Sequence, residues 1–175
     1  VTAVEGASTL TQQLVAILYL DKSDRSIDRK VKEAWLAQQL EQRWSKDRIL
    51  TEYLNSVYFG NGAYGIEAAA RTYFASAPGN KGCGEGNNPS CASLLDPAQS
   101  ALLAAIIASP SGYDPIAHPV AAKARRDMVL RKMLEQRRIV GSEYDAALLA
   151  PIPTEADLTL PRLETAVAVA DLPAA

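Results

Sequence analysis

The run from Arg25 to Asn55 is the feature that most limits what this chain can fold into. It reads RSIDRKVKEAWLAQQLEQRWSKDRILTEYLN, contains no Gly or Pro, and spaces its apolar residues as helices do. Ser45 is a typical N-cap residue, so we expect a second helix to begin there. At about 100° per residue, the apolar residues of the first helix form two opposite sides. One side has Ile27, Val31, Ala34 and Trp35, and the other has Leu36, Leu40 and Trp44. We therefore predict a buried helix, packed between neighbours on both sides.

Three charged residues interrupt this apolar pattern. Arg25, Arg29 and Glu33 are spaced four apart, so they follow one another along one face of the helix. Such a triplet is either a surface ladder of salt bridges or a partly buried carboxylate with two cations directed into a cleft. The spacing of these residues does not choose between the two interpretations.

The composition also favours helices. Hydrophobic residues make up 48% of the 175 residues and aromatic residues only 6%, which favours an all-α fold over a β sandwich. A net charge of −2 gives no argument for nucleic acid, and we expect no nucleic-acid partner. No uninterrupted apolar run in the sequence is long enough to span a bilayer.

Four segments of the chain, in order, resemble the motifs of a known enzyme family. They are GASTLTQQL at 6–14, RKVKEA at 29–34, SKDRILTEYLN at 45–55 and YFGNGAYGI at 58–66. They resemble the GGSTxTQQL, RKxxEA, SKxxILExYLN and YFGxGxYGI motifs of the peptidoglycan glycosyltransferases, the polymerase module of class A penicillin-binding proteins. Four motifs in order are far more specific than any single short pattern.

This resemblance implies an all-α fold with a lysozyme-like portion. It assigns residues 1–150 to a glycosyltransferase domain, and residues 151–175 to a linker towards a transpeptidase domain that is not present. The family's general base lies in an EDxxFxxHxG motif that this sequence lacks, and Glu5 is the only carboxylate before Ser8. We therefore expect a chain truncated at its N-terminus, inactive or nearly so by itself.

The activity that the resemblance implies is polymerisation of glycan strands from lipid II. A sugar 4-hydroxyl attacks an anomeric carbon with inversion, and undecaprenyl pyrophosphate leaves. The expected partners are lipid II, the growing glycan strand, the membrane surface and other cell-wall synthesis proteins. The expected location is the extracytoplasmic face of the bacterial cytoplasmic membrane. We expect no required cofactor, with a divalent metal as an option.

Residues that match the family's motifs supply the expected site. Glu33 matches a catalytic carboxylate that positions cations or a metal on the donor side. The expected substrate-binding residues are Ser8, Thr9, Gln13, Arg25, Arg29 and Lys32. Arginine pairs bidentately with phosphate, which suits a departing pyrophosphate. Ser8 and Thr9 are also good helix-capping residues, so a purely structural role stays open for both.

The continuation of the first motif departs from the family pattern. The family continues TQQLVKN, whereas this chain has Ala16 and Ile17 in place of Lys and Asn. A cation that would meet the pyrophosphate is therefore missing. This departure leaves an alternative function, a degenerate non-catalytic module that binds lipid II or other cell-wall proteins.

The only two cysteines, Cys83 and Cys91, lie in a Gly- and Asn-rich loop at 77–94. Together with a distant His118 they are too few for a metal site, so we expect no metal-ligating residues. A disulfide that closes a short loop is our preferred interpretation over two free thiols. It would indicate an oxidising, extracytoplasmic compartment.

Capping residues and periodicity predict the remaining helices. They run from about Leu10 to Leu20, from about Tyr64 to Phe74 after a glycine turn, from Asp96 to about Ala108, and from Pro119 to Arg138. The last of these carries seven cations against two carboxylates, which predicts a solvated face, with attraction to anionic lipid headgroups as the alternative. A final short helix is predicted before Pro151, capped by Ser142 with Asp145.

Overall fold

The computed structural model describes residues 8–20 and 26–159. The helices of this part of the chain are α1 (Leu10–Tyr19), α2 (Ile27–Arg43), α3 (Lys46–Ser56), α4 (Ile66–Phe74), α5 (Pro97–Ala108), α6 (Pro119–Glu135) and α7 (Gly141–Leu149). Two short 3-10 helices cover Cys91–Leu94 and Glu155–Asp157. No strand forms among the described residues, where one isolated antiparallel bridge joins Tyr58 to Tyr64. The predicted all-α class is confirmed.

Local sequence sets where several helices begin. Thr9, Ser26, Ser45 and Asp96 each accept a hydrogen bond on their side chain from the backbone N–H three residues later. At Thr9 and Asp96 the Gln three residues later accepts the capping residue's own N–H, which completes a capping box. Each cap satisfies an N–H that has no partner inside the helix, which is worth about 1 kcal/mol.

A glycine turn precedes α4, as predicted. Gly65 has a φ of 83°, and a Cβ at this position would lie 2.6 Å from the carbonyl oxygen of Asn55. Only glycine avoids both the left-handed strain and this clash. Helix α4 therefore begins at Ile66, two residues after the predicted Tyr64.

Helix α5 lies at the centre of the packing. It contacts α4, α6 and α7, and most of its apolar side chains are buried. The main core joins α1, α3, α4 and α5 through side chains that include Leu14, Tyr53, Tyr73 and Leu102. A second apolar cluster, around Leu130, joins α5, α6 and α7. The fold is therefore a set of helices arranged around the most apolar one.

Helix α2 is not buried on both sides, so that prediction is wrong. Ile27 is 83% exposed, Val31 63% and Trp35 59%, and these residues form one open apolar side. The opposite side does pack, with Leu40 and Trp44 against the main core. Periodicity places residues on a side of a helix, but it cannot tell how many sides have a neighbour.

Helix α6 differs from its prediction at its end and on its face. It ends at Glu135 rather than Arg138, because Arg137 adopts a left-handed φ of 55° that a helix cannot contain. Its cations do not all form a solvated face, since Arg126 is only 1% exposed. The guanidinium of Arg126 instead reaches Asp127 and backbone carbonyls near the end of α7.

The predicted cap of the last helix is also wrong. Helix α7 begins at Gly141, so Ser142 and Asp145 lie inside it. Val140 is the capping residue, and its N–H donates to Glu143 Oε2 at 2.8 Å. The carboxylate of Glu143 thus accepts the N–H of the capping residue, as Asp145 was expected to do.

The cysteine-containing loop is fastened to α4. Cys83 and Cys91 are joined by a disulfide, with 4.9 Å between their Cα atoms, and both are buried. The N–H groups of Cys91 and Ala92 donate to the carboxylate of Glu67 on α4, at 2.9 and 2.8 Å. The loop, predicted to be irregular throughout, therefore ends in the 3-10 helix that Glu67 holds in place.

Candidate functional site

Helix α2 buries the carboxylate of Glu33. This residue is 2% exposed, whereas most of its neighbours along α2 are open to solvent. A buried carboxylate needs cationic or N–H partners, because burial without them strongly disfavours its charge. Of the two interpretations of the Arg25, Arg29 and Glu33 triplet, the surface ladder therefore does not describe Glu33.

Two cations of α2 pair with this carboxylate. Arg29 Nη1 lies 3.5 Å from Glu33 Oε2, one helical turn away. Lys30 Nζ makes a short hydrogen bond to Glu33 Oε1. Since residues three and four apart share a helix face, Arg29 and Lys30 both meet Glu33 from the preceding turn.

Lys30 also connects α2 to the segment that precedes α1. Its Nζ donates to Ser8 Oγ at 2.8 Å, across 22 residues of sequence. Sequence reasoning missed Lys30, because it followed the spacing of four from Arg25 and chose Lys32 as the additional cation. The signal that could have found Lys30 is its spacing of three from Glu33.

Gln13 is held in place from a different helix. The hydroxyl of Tyr53 on α3 donates to Gln13 Oε1 at 3.0 Å. Burial raises the pKa of Tyr53, so its hydroxyl keeps its proton at neutral pH and remains a donor. This hydrogen bond uses the carbonyl oxygen of Gln13 and orients its NH2 group, a donor that suits sugar or phosphate oxygens.

The Glu33 cluster, defined as Ser8, Arg29, Lys30 and Glu33, has more donors than acceptors. Two cations face one carboxylate, so its net charge is positive. In addition, Arg29 Nε is buried and has no hydrogen-bond partner among the described residues. An unsatisfied buried N–H of a guanidinium is costly, and an oxyanion would satisfy it. The cluster is therefore suited to bind an anion.

Thr9 and Lys32, two of the other expected site residues, do not join this cluster. The hydroxyl of Thr9 accepts the N–H of Gln12 at 3.2 Å, so it serves the cap of α1. Lys32 is exposed and, in the described part of the chain, lies outside the contacts of Glu33. Arg25 lies outside the described residues. Substrate roles for these three residues stay predictions.

Comparison with known proteins agrees with the motifs. A family profile described as "Transglycosylase" matches residues 1–134. The chain belongs to the transglycosylase family. It is 42% identical over 151 residues to penicillin-binding protein 1A of Streptococcus oralis, covering 85% of this chain and 22% of that protein. It is 42% identical over 149 residues to penicillin-binding protein 2D of Bacillus subtilis, covering 85% of this chain and 19% of that protein.

A solved structure is similar as well. Penicillin-binding protein 1A from Haemophilus influenzae matches with 25% identity and a TM-score of 0.49, covering 89% of this chain and 17% of that one. The chain thus spans about a fifth of the length of these three penicillin-binding proteins.

The two residues that depart from the family motif, Ala16 and Ile17, both lie on α1. Ile17 is partly buried and packs against the main core, in place of the family's Asn. Ala16 is partly buried too, and it has no charge or hydrogen-bonding group to offer. Within the described residues, the cations near Glu33 therefore come from α2 and not from α1.

Two further observations concern metals and membranes. The described residues contain no group of three or more His, Cys, Asp or Glu side chains that could hold a metal ion. Among the helices of the same residues, none is both long and apolar enough to cross a bilayer.

Proposed function

We propose that this protein is a peptidoglycan glycosyltransferase that polymerises lipid II into glycan strands. The observation that carries the proposal is the Glu33 cluster, a buried carboxylate with two cations and an unsatisfied guanidinium N–H. Membership of the transglycosylase family supports the same reaction.

The cluster suits the leaving-group side of the reaction. The 4-hydroxyl oxygen of one sugar forms a bond to the anomeric carbon of another, and the bond from that carbon to the pyrophosphate oxygen breaks. The electron pair leaves with undecaprenyl pyrophosphate, on which negative charge grows. Lys30 and the free N–H of Arg29 can stabilise this charge, since preorganised cations act most strongly in a site that excludes water. Glu33 would act by holding both cations in position.

The hydroxyl proton needs a base, and Glu33 is not well placed to supply one. Its Oε1 already accepts from Lys30, and its Oε2 is paired with the guanidinium of Arg29. The family uses a carboxylate of the EDxxFxxHxG motif, which has no match in this sequence. We therefore assign Glu33 and its cations to the donor side only.

The open side of α2 supports contact with a membrane surface. Ile27, Val31 and Trp35 recur every four residues and expose an apolar side that the fold leaves uncovered. A substrate with an undecaprenyl chain must be taken from a bilayer, and an exposed apolar side of a helix can lie against the surface of one. The disulfide agrees with an extracytoplasmic location, where thiols oxidise. Contacts with other cell-wall synthesis proteins stay a prediction.

The deciding experiment compares Glu33→Gln with wild type, both in the intact protein, in polymerisation of labelled lipid II, with products separated by length. Removing one electrostatic contributor of this kind costs about 100- to 1,000-fold in rate. Glu41→Gln, an exposed carboxylate on the same helix, is the matched control and should not change the rate. Polymerisation by Glu33→Gln at the wild-type rate would contradict the assigned role.

The same assay tests the alternative of a non-catalytic binding module, which the Ala16 and Ile17 departures favour. In that case the protein binds lipid II but yields no polymer, with or without Glu33. Binding is measured separately, by retention of labelled lipid II in detergent micelles. Weaker retention in Glu33→Gln with no polymer from wild type would support the alternative.

The membrane contact is tested with vesicles of phosphatidylglycerol and phosphatidylethanolamine. The double change Val31→Ser and Trp35→Ser should weaken co-sedimentation at least about tenfold, because burying each apolar side chain contributes about 1.5–3 kcal/mol. Leu149→Ser, at an apolar residue of α7 that is 86% exposed, is the control and should leave binding unchanged. Equal binding by the double variant and wild type would contradict the contact.

A further inference from the structure

The hydroxyl of Tyr53 is a polar group attached to a ring of the apolar core. Tyr53 lies on α3, is 5% exposed and belongs to the main core together with Leu14 of α1. Packing of the ring does not need the hydroxyl, since phenylalanine has nearly the same shape. A buried hydroxyl costs free energy unless it is hydrogen-bonded. Packing alone therefore does not explain a tyrosine at this position.

Within the described part of the chain, this hydroxyl has one hydrogen-bond partner, the side chain of Gln13 on α1. Tyr53 donates to Gln13 Oε1 at 3.0 Å, across 40 residues of sequence. Helix α1 packs against α3, and Gln13 itself is exposed. Because burial raises the pKa of Tyr53, the donor persists at neutral pH. The hydrogen bond thus connects a fixed core ring with an exposed amide on another helix.

The two adjacent glutamines of α1 are held in different ways. Gln12 Oε1 accepts the N–H of Thr9, so this side chain completes the cap of its own helix. Gln13 Oε1 accepts from α3 instead. Gln13 does not fill the core, where its neighbours Leu14 and Val15 are buried. The contact with Tyr53 therefore fixes the Gln13 amide without adding an apolar group to the core.

The hydrogen bond makes the NH2 group of Gln13 an oriented donor. Among the described residues, no acceptor pairs with this group. Glutamine is one of the side chains that lose the most rotamer entropy when they are ordered. Tyr53 orders Gln13 before a ligand arrives, which lowers the cost of binding. An amide that accepts at its oxygen also donates more strongly from its nitrogen.

The position of Gln13 on α1 brings this donor towards the Glu33 cluster. Its N–H donates to the Thr9 carbonyl at 3.0 Å, so Gln13 lies one helical turn, about 5 Å, after Thr9. Ser8, which accepts from Lys30, directly precedes Thr9. Side chains on a helix lean towards its N-terminus, so that of Gln13 covers the turn that contains Thr9. The NH2 group is therefore near the end of α1 that the Glu33 cluster includes.

We propose that Tyr53 is a positioning residue, whose buried hydroxyl holds the Gln13 amide so that its NH2 group donates to a pyrophosphate oxygen of the substrate. An oxyanion suits this donor, because the Glu33 cluster beside it carries a net positive charge. The inference rests on the proposed function for its substrate. It gives Tyr53 a role that acts entirely through Gln13.

The first test is Tyr53→Phe in the intact protein, which keeps the ring and removes only the donor. The kcat/KM for polymerisation of lipid II should fall about 3- to 10-fold, as loss of one hydrogen bond does. Tyr144→Phe, at a partly buried tyrosine of α7, is the matched control and should polymerise as wild type does. Wild-type kcat/KM in Tyr53→Phe would overturn the inference.

A double variant separates positioning from a general effect on the fold. Gln13→Ala removes the amide itself, so it should lower kcat/KM at least as much as Tyr53→Phe. In the Gln13→Ala background, Tyr53→Phe should cause no further loss, because the hydroxyl acts only through the amide. A further loss of 3- to 10-fold, about the size of the single effect, would show that Tyr53 acts in another way.

The motion of the amide gives a readout that does not depend on polymerisation. In NMR of the chain, the side-chain NH2 group of Gln13 should have a high order parameter, and Tyr53→Phe should lower it to that of the exposed Gln38 on α2. Equal order parameters for Gln13 and Gln38 in wild type would contradict the positioning. If Glu33→Gln polymerises as wild type does, the proposed role of Glu33 fails, and this measurement still decides whether Tyr53 holds Gln13.

Inorganic pyrophosphate is the probe for the ligand. Its addition should shift the side-chain NH2 signals of Gln13, and its apparent affinity should be about threefold weaker or less in Tyr53→Phe than in wild type. Absence of a shift at Gln13 would overturn the assignment of its NH2 group to a pyrophosphate oxygen.

Discussion

Helices α2 and α6 each bury a charged residue, and the two environments differ in how completely the arginine that belongs to each is hydrogen-bonded. On α6, Arg126 donates to Asp127 Oδ1 from Nε and Nη2, to the Ala150 carbonyl from Nη1 and to the Leu148 carbonyl from Nη2, at 2.7–3.2 Å. All three nitrogens of its guanidinium therefore have acceptors. Arg126 also satisfies carbonyls at the end of α7 that the helix itself leaves open.

On α2 the hydrogen bonds around the buried charge are incomplete. Glu33 is as buried as Arg126, but its partner Arg29 keeps an Nε with no acceptor among the described residues. An unsatisfied N–H does not stabilise the fold, whereas an oxyanion of a ligand could accept a hydrogen bond from it. Burial of a charge alone therefore does not indicate a binding site. An unmatched guanidinium N–H is not specific to α2, since Arg125 Nε on α6 is also buried without a partner among the described residues. On α2 the unmatched N–H lies beside a buried carboxylate that has a second cation.

The largest effect is expected on α6, when the hydrogen bonds of Arg126 are removed. Arg126→Met should destabilise the fold by about 1–3 kcal/mol, because it leaves partly buried acceptors without partners. Polymerisation per folded molecule should not change, since Arg126 lies outside the Glu33 cluster. Urea unfolding gives the loss of stability, and Arg131→Met, at an exposed residue of the same helix, is the control. Equal stability of the two variants would show that Arg126 does not hold α7.

The two environments also differ in how far the sequence could predict them. The caps at Thr9, Ser45 and Asp96 were predictable, because each depends on residues three positions apart. Burial of Glu33 was one of two open interpretations. The partners of Arg126 were not predictable, since they are backbone carbonyls 22 and 24 residues away. No side-chain pattern marks a backbone carbonyl.

The same limit explains the errors on α2. Its periodicity gave the two apolar sides correctly, but exposure of Ile27, Val31 and Trp35 depends on which helices pack nearby. The contact of Lys30 with Ser8 was not predictable, because Ser8 is 22 residues away. In the Glu33 cluster, sequence spacing can therefore indicate the contacts within α2, but not the contact between Lys30 and Ser8.

A smaller effect is expected on α2, where Lys30 and Lys32 differ in their contacts. Lys30 contacts Glu33 and Ser8, whereas Lys32 is exposed. Lys30→Met should lower the rate of lipid II polymerisation by about 10- to 100-fold, and Lys32→Met by less than about threefold. Lys46→Met, at an exposed lysine of α3, is the control. A larger loss for Lys32→Met would return the role to the residue that the sequence motif first suggested.

The smallest effect concerns Asp127, the acidic partner of Arg126. Burial works to raise the pKa of Asp127, but hydrogen bonds from Lys123 and Arg126 prevail and hold the pKa below its usual value. The folded state thus favours the carboxylate, and this stabilisation is present above the unfolded pKa of about 4 and lost as pH falls through the lower folded value. Asp127→Asn keeps an oxygen for Arg126, so it should cost less than about 1 kcal/mol at pH 7.

The pH dependence of this stability difference is a more specific test than its size at pH 7. In urea unfolding, the stability difference between wild type and Asp127→Asn should shrink as the pH is lowered from 7 to about 3, because the wild-type carboxyl then takes up its proton. Asp145→Asn, at an exposed position of α7, should show no such trend. A difference that stays constant with pH would mean that Arg126 relies on the carbonyls of α7 rather than on the charge of Asp127. The contrast with the Glu33 cluster would then rest on hydrogen bonds alone.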